Sequence, residues 1–292
     1  MFTGTYTAIV TPFRNGRVDE AALEKLVKRQ IKGGVEGIVP VGTTGESPTL
    51  DLDEHIGIIE LVVRIAAGRV KVLAGTGSNS TKKCIHLTQC AEKAGADGAL
   101  LVAPYYNKPS QEGLFQHFRA VAAETRLPIV LYSIPSRCGI EIGVDTVKRL
   151  IDARKNIVGI KEAGGNPDRV SQLRAECGPR LEILSGDDSL TLPFMAVGAQ
   201  GVISVASNVI PKEVANMVRA FASGDLRTAG KLHAKYYPLF KDLFIETNPT
   251  PTKATLAMLG LMEEDCRLPL VPVGAASRAK LVKTLRCCGI LE

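Results

Sequence analysis

The sequence predicts an α/β protein: a (β/α)8 TIM-type barrel followed by a small helical segment. Three observations carry this. Eight short apolar runs recur along the first two-thirds of the chain, separated by helix-length amphipathic stretches, which is the pattern of parallel strands joined by right-handed crossovers. Eight is also the strand number that closes such a sheet on itself. An open doubly wound sheet, the competing architecture, usually shows a glycine-rich phosphate loop early in the chain, and residues 5–12 hold none.

The strands are expected at 6–10, 37–41, 70–74, 98–102, 128–133, 157–161, 182–184 and 201–205. The first helix, 19–31, opens on Asp19, whose side chain suits an N-cap, and stops at Gly33-Gly34. Helices at 52–66, 81–93, 110–124, 144–153, 167–176 and 189–197 fill the other crossovers. After Val209 the strands stop. Helices at 211–222, 226–244, 252–261 and 275–285 follow, punctuated by Gly224 and Pro249-Thr250-Pro251. The expected organisation is a (β/α)8 barrel domain over 1–224 and a helical C-terminal domain over 225–292.

The sixth strand, Ile157-Val158-Gly159-Ile160-Lys161-Glu162, draws attention because a buried-strand pattern ends in a lysine. Strict alternation places Ile157, Gly159 and Lys161 on one face and Val158, Ile160 and Glu162 on the other. With the first face turned into a barrel, Gly159 leaves space beside the amine of Lys161. Desolvation disfavours an ammonium and frees the amine to attack a carbonyl, the requirement of Schiff-base chemistry. The plain alternative is a strand-end lysine in water.

Other strand ends carry polar groups as well. The second leads into Gly42-Thr43-Thr44-Gly45-Glu46-Ser47, where amides and hydroxyls crowd together as a carboxylate ligand requires, or simply form a turn of small residues. The fourth leads into Pro104-Tyr105-Tyr106-Asn107-Lys108-Pro109, whose phenols can pass protons or anchor an interface. Tyr132 ends the fifth. Arg137 follows in a loop constrained by Pro135 and Gly139, where it can fork onto a carboxylate or make a surface ion pair. Ser185-Gly186-Asp187-Asp188 follows the seventh, and the acidic pair reads as a helix cap in preference to a cation site. In a barrel all these ends converge on one mouth.

Composition sets limits. A net charge of +6 with scattered basic residues, and no basic run interleaved with aromatics, gives nucleic-acid binding no support and suits an anionic small substrate. Seven cysteines without framework spacing point to a reducing compartment. Four dispersed histidines argue against a metal cluster. The first residues lack a signal-peptide pattern, and no apolar stretch reaches membrane-spanning length, so the expected location is cytoplasmic.

With these motifs assembled, the chain resembles the dihydrodipicolinate synthase family of pyruvate-dependent class I aldolases, to which N-acetylneuraminate lyase also belongs. The resemblance runs from Gly4-Thr5-Tyr6-Thr7-Ala8 to Asn248-Pro249. It rests on the Gly42–Ser47 motif, Tyr105–Pro109, Tyr132–Gly139, Gly159–Glu162 and Ser185–Asp188. It implies condensation of pyruvate with L-aspartate 4-semialdehyde, no cofactor, and a homotetramer built as a dimer of dimers. It further implies that Lys161 forms the Schiff base, that Tyr132 passes protons, and that Thr43 links Tyr132 to a Tyr106 supplied by the neighbouring subunit. Thr44 is expected to hold the pyruvate carboxylate, Arg137 that of the semialdehyde, and Gly186 and Ile203 to contact substrate through their backbones. In regulated relatives a lysine-effector site lies at positions matching Ser47, His55, Asn79, Lys83 and Tyr105. Here Lys83 replaces an acid and Leu52 a histidine, so weak or absent inhibition by lysine is expected. Ser133 and Cys138 depart from the Asn and Thr common in relatives. The competing readings are a sister aldolase or lyase for a sugar acid, which usually has Ser before Thr in the second loop and lacks this arginine, and a catalytically silent member, which should have lost Lys161 or a relay residue.

Overall fold

In the computed structural model, which describes residues 2–292, eight parallel strands close into a barrel. They are β1 (Gly4–Ala8), β2 (Gly37–Val39), β3 (Lys71–Gly75), β4 (Gly98–Val102), β5 (Ile129–Ser133), β6 (Ile157–Glu162), β7 (Glu182–Ser185) and β8 (Gly201–Ser204). Each pairs with the next in sequence, and β8 returns to β1 with Tyr6 opposite Ile203. All eight overlap the predicted apolar runs, with β1 lying two residues earlier than 6–10 and β2 ending two residues before 41.

The crossover helices are α1 (Glu20–Gly33), α2 (Leu52–Ala66), α3 (Thr81–Lys93), α4 (Gln111–Ala123), α5 (Val144–Ala153), α6 (Pro167–Cys177) and α7 (Thr191–Ala196). Asp19 caps α1 by accepting from the Ala22 amide at 2.9 Å, as expected. Asp51 and Glu54 close a reciprocal capping box on α2. The stretch expected as a single helix over 189–197 begins instead as a 3-10 turn, Asp188–Leu190, before α7.

Two apolar layers result from strand alternation. Tyr6, Val39, Leu73, Leu100, Val130 and Leu184 form one cluster inside the barrel. A larger cluster lies between the strands and their helices. The remaining helices, α8 (Pro211–Ala222), α9 (Leu226–Asp242), α10 (Thr250–Met258) and α11 (Ala275–Cys287), complete the chain. Leu239, Phe240, Leu256 and Leu285 join the outer cluster, so the C-terminal helices share the barrel's apolar layer. No helix among the described residues is long and apolar enough to cross a membrane.

One expectation about β6 fails. Ile129 pairs with Ile157, but Val130 pairs with Gly159, so β6 carries one extra residue at its start. The bulge breaks the alternation. Ile157 joins Ile160 in the outer layer, while Val158 packs against the interior cluster. Only from Gly159 onward does the predicted alternation of faces hold.

Candidate active site

Lys161 stands at the end of β6, opposite Tyr132 on β5 and Leu184 on β7. Its side chain is 5% exposed, and its Nζ lies 4.2 Å from the centre of the Tyr132 ring. The glycine that makes room for it is not the one expected. A β-carbon on Gly159 would fall 2.9 Å from the Glu182 carbonyl oxygen, so that space belongs to the neighbouring strand. A β-carbon on Gly186 would lie 3.1 Å from Cε of Lys161. The same β-carbon would fall 2.6 Å from Cβ of Ala163, so Gly186, just after β7, leaves room that Lys161 shares with Ala163.

Burial pushes the Lys161 amine down to about 7, and the Arg137 guanidinium adds to the effect; the Asp188 carboxylate opposes them. The strand-end lysine in water is thereby excluded. Burial also holds the Tyr132 phenol well above its ordinary value, against the pull of Arg137 and of a hydrogen bond with Thr43. Tyr132, Thr43, Lys161 and Arg137 are thus gathered at one mouth.

The loop after β2 is built for tight contact. Val41 and Glu46 both adopt the left-handed region, at φ of 50° and 55°, a strained conformation for side chains other than glycine. Turn bonds from Gly45 to Gly42 and from Glu46 to Thr43 hold the loop. Among the described residues, no group accepts from the amides of Thr43 and Thr44. Thr44 is buried, and its hydroxyl accepts from Nδ2 of Asn248 at 3.0 Å. A cavity of about 190 Å³ opens beside this loop, lined by Thr43, Ser47, Tyr105, Ile134, Arg137 and Cys138. Larger surface clefts exist, of about 470 Å³ beside α2 and about 580 Å³ at the opposite end of the barrel around Tyr6. Neither is lined by the groups at the mouth.

Arg137 sits on a short helical turn, Pro135–Cys138, and its Nη2 donates to the Asn248 carbonyl at 3.0 Å. The two departures in this region keep partners: Ser133 Oγ accepts from the Ile142 amide at 3.4 Å, and the Cys138 thiol donates to the Ala103 carbonyl at 3.2 Å. Gly186 donates its amide to the Glu162 carbonyl, and Ile203 lies in the interior cluster. Asp187 is the cap, accepting from the Ser189 amide at 2.8 Å. Asp188 is not a cap. Its buried carboxylate accepts from Ser204 Oγ and from the amides of Val205 and Ala206, while burial raises it to about 6.

Tyr106 is not brought to this group within the chain. It is 91% exposed and adopts a left-handed φ of 74°. Asn79 donates to the Tyr105 carbonyl at 3.2 Å, which ties the loops after β3 and β4 together. His55 is buried against the Gly75 carbonyl at 2.9 Å; burial lowers its pKa and nearby Lys83 adds to this. Leu52 is an exposed apolar residue.

Sequence reasoning missed Asn248, Asp188 as a neighbour of the lysine, and the buried ion pair of Glu46 with Lys253 from α10. In the sequence Asn248-Pro249 marks only the end of the family resemblance, and the contact of Asn248 with Thr44 spans 204 positions. A lysine within the apolar helix 250–258 was the available signal for the ion pair.

A closed eight-stranded barrel with a desolvated lysine and a tyrosine at its mouth defines an aldolase-type lyase. Residues 1–287 match the dihydrodipicolinate synthetase family, and the chain belongs to that family. It is 51% identical, over all of both chains, to a 4-hydroxy-tetrahydrodipicolinate synthase of Pelobacter propionicus. Its fold superposes with a TM-score of 0.98 on the 4-hydroxy-tetrahydrodipicolinate synthase of Methylacidiphilum fumariolicum SolV, at 58% identity, covering 99% of this chain and 96% of that one. A chloride-inhibited dihydrodipicolinate synthase of Acinetobacter baumannii, solved with pyruvate, aligns over all of both chains at 42% identity and a TM-score of 0.97.

Proposed function

We propose that the chain condenses pyruvate with L-aspartate 4-semialdehyde through an imine on Lys161, the activity of a 4-hydroxy-tetrahydrodipicolinate synthase and the first committed step of the diaminopimelate route to lysine. The observation that carries this is the buried Lys161 amine, lowered to about 7 and held against Tyr132. The pyruvate bound by the Acinetobacter baumannii relative supports the first substrate.

The unprotonated amine adds to the keto carbon of pyruvate, and water leaves as the protonated imine forms. That imine withdraws electrons, so a methyl proton departs and an enamine results. The enamine carbon attacks the aldehyde, whose oxygen takes up a proton. The amine of the second substrate then displaces Lys161 and closes the ring. Tyr132, hydrogen-bonded to Thr43, is the proton carrier at the mouth. Thr44 with the free amides of its loop holds the pyruvate carboxylate, and Arg137 receives that of the semialdehyde. Gly186 and Ile203 line the bound substrates through their backbones. Tyr106 completes the relay from a neighbouring subunit of a homotetramer. The helices after residue 224 act as a C-terminal domain that braces the barrel mouth. At the effector positions, Lys83 repels an ammonium, so free L-lysine is a poor inhibitor.

Borohydride treatment in the presence of pyruvate tests the reading. It should inactivate the enzyme and add one reduced pyruvate to the peptide containing Lys161. Label on another lysine, or unlabelled active protein, rejects the assignment. Turnover should appear with pyruvate plus the semialdehyde and not with N-acetylneuraminate, and free L-lysine added to the same assay should leave it nearly unchanged.

A further inference from the structure

Asn248 lies just before α10 and is 5% exposed. Three polar groups converge on it. Its Nδ2 donates to Thr44 Oγ1 at 3.0 Å, its Oδ1 accepts from Thr252 Oγ1 at 3.4 Å, and its backbone carbonyl accepts from Arg137 Nη2 at 3.0 Å. One residue of the C-terminal segment therefore touches both side chains assigned above to the substrate carboxylates.

A threonine hydroxyl has one proton. When the Asn248 amide occupies a lone pair of Thr44 Oγ1, that proton is left free to donate to an anion. We infer that Asn248 is a positioning residue: its side chain turns Thr44 into a hydrogen-bond donor for the keto-acid carboxylate, and its carbonyl sets the Arg137 guanidinium. The inference rests on the proposed role of Thr44. It gives the C-terminal segment a direct part in substrate selection, because the polarity of the Thr44 hydroxyl is dictated from there.

The decisive variant is Asn248→Asp, which keeps the shape and reverses the polarity. A carboxylate at this position accepts the Thr44 proton and leaves lone pairs facing the substrate. The pyruvate concentration for half-maximal borohydride labelling of Lys161 should rise at least about tenfold near neutral pH, the effect of losing one hydrogen bond to a charged group. Labelling at saturating pyruvate should remain complete. The Michaelis constant for the semialdehyde should shift less, because the carbonyl that holds Arg137 is unchanged. Lowering the pH from about 8 to about 6 should narrow the gap between variant and wild type, since a protonated carboxyl can donate again. Thr252→Val, which removes the anchor of Oδ1, should shift pyruvate in the same direction by less, and serves if Asn248→Asp does not fold. An unchanged half-maximal concentration in these variants, with Lys161 fully labelled, overturns the role of Asn248 and leaves the imine chemistry standing. Absence of label on Lys161 in the wild-type chain overturns the underlying reading and this inference with it.

Discussion

A lysine amine attacks a carbonyl only when unprotonated, and at Lys161 burial is the main cause that favours this form, with the Arg137 guanidinium adding to it. The imine-forming step should therefore follow the titration of that amine. Its initial rate is expected to rise with pH along a curve centred near 7, far below the range of an exposed lysine, and to level off above it. The sign for Asp188 follows from its charge: its carboxylate favours the ammonium, so Asp188→Asn should move the midpoint downward. Early-time borohydride trapping across a pH series measures both. A midpoint near that of a free lysine would sink the desolvation argument. Lys161 and Tyr132 were legible in the sequence because each ends an apolar run, and strand ends in a barrel share a mouth. Asp188 was legible only as an acid before a helix. Nothing local distinguishes a carboxylate that caps its own helix from one that reaches the turn after β8.

Strands and helices were legible almost throughout, since period and punctuation are local properties. The failures lie where one element meets another. The bulge in β6 depends on how β5 pairs with it, which no alternation pattern records. The hairpin of Phe13–Arg14 with Arg17–Val18 was overlooked although Asn15-Gly16 is a strong turn signal, because two-residue strands give no periodicity. The most consequential contact joins the loop after β2 to α10. Glu46 and Lys253 are both fully buried and form an ion pair, with the Lys253 amine also donating to the Asp265 carbonyl and the Arg267 amide donating to Glu46 at 3.0 Å. Removing Lys253 leaves Glu46 charged and buried, without its counter-ion. Lys253→Met should lower stability by about 3–5 kcal/mol, whereas Lys253→Met combined with Glu46→Gln should recover most of the loss. Urea unfolding followed by circular dichroism reads this. A loss below about 1 kcal/mol for the single variant would mean that the pair behaves as a solvated one.

At the scale of the whole molecule, the site of a single chain is incomplete on the proposed mechanism. Thr43 bonds to Tyr132, but the Tyr106 ring points into solvent, 91% exposed, from a loop strained at both Tyr106 and Lys108. A left-handed backbone at an aromatic residue costs about 1–3 kcal/mol and is kept where surrounding structure demands it. A partner's mouth, receiving the ring beside its own Thr43, is the demand we propose. Hybrids provide the test. Tyr106→Phe chains and Lys161→Ala chains should each be nearly inactive alone. In a mixed dimer with shared sites, one site collects both defects and the other neither, so random mixing of equal amounts should restore about a quarter of the sites. Recovered turnover should track subunit exchange, followed by native mass spectrometry of the mixture. If exchange is complete and activity stays at the level of the separate variants, Tyr106 does not serve the neighbouring site, and the relay must end at Thr43 within each chain.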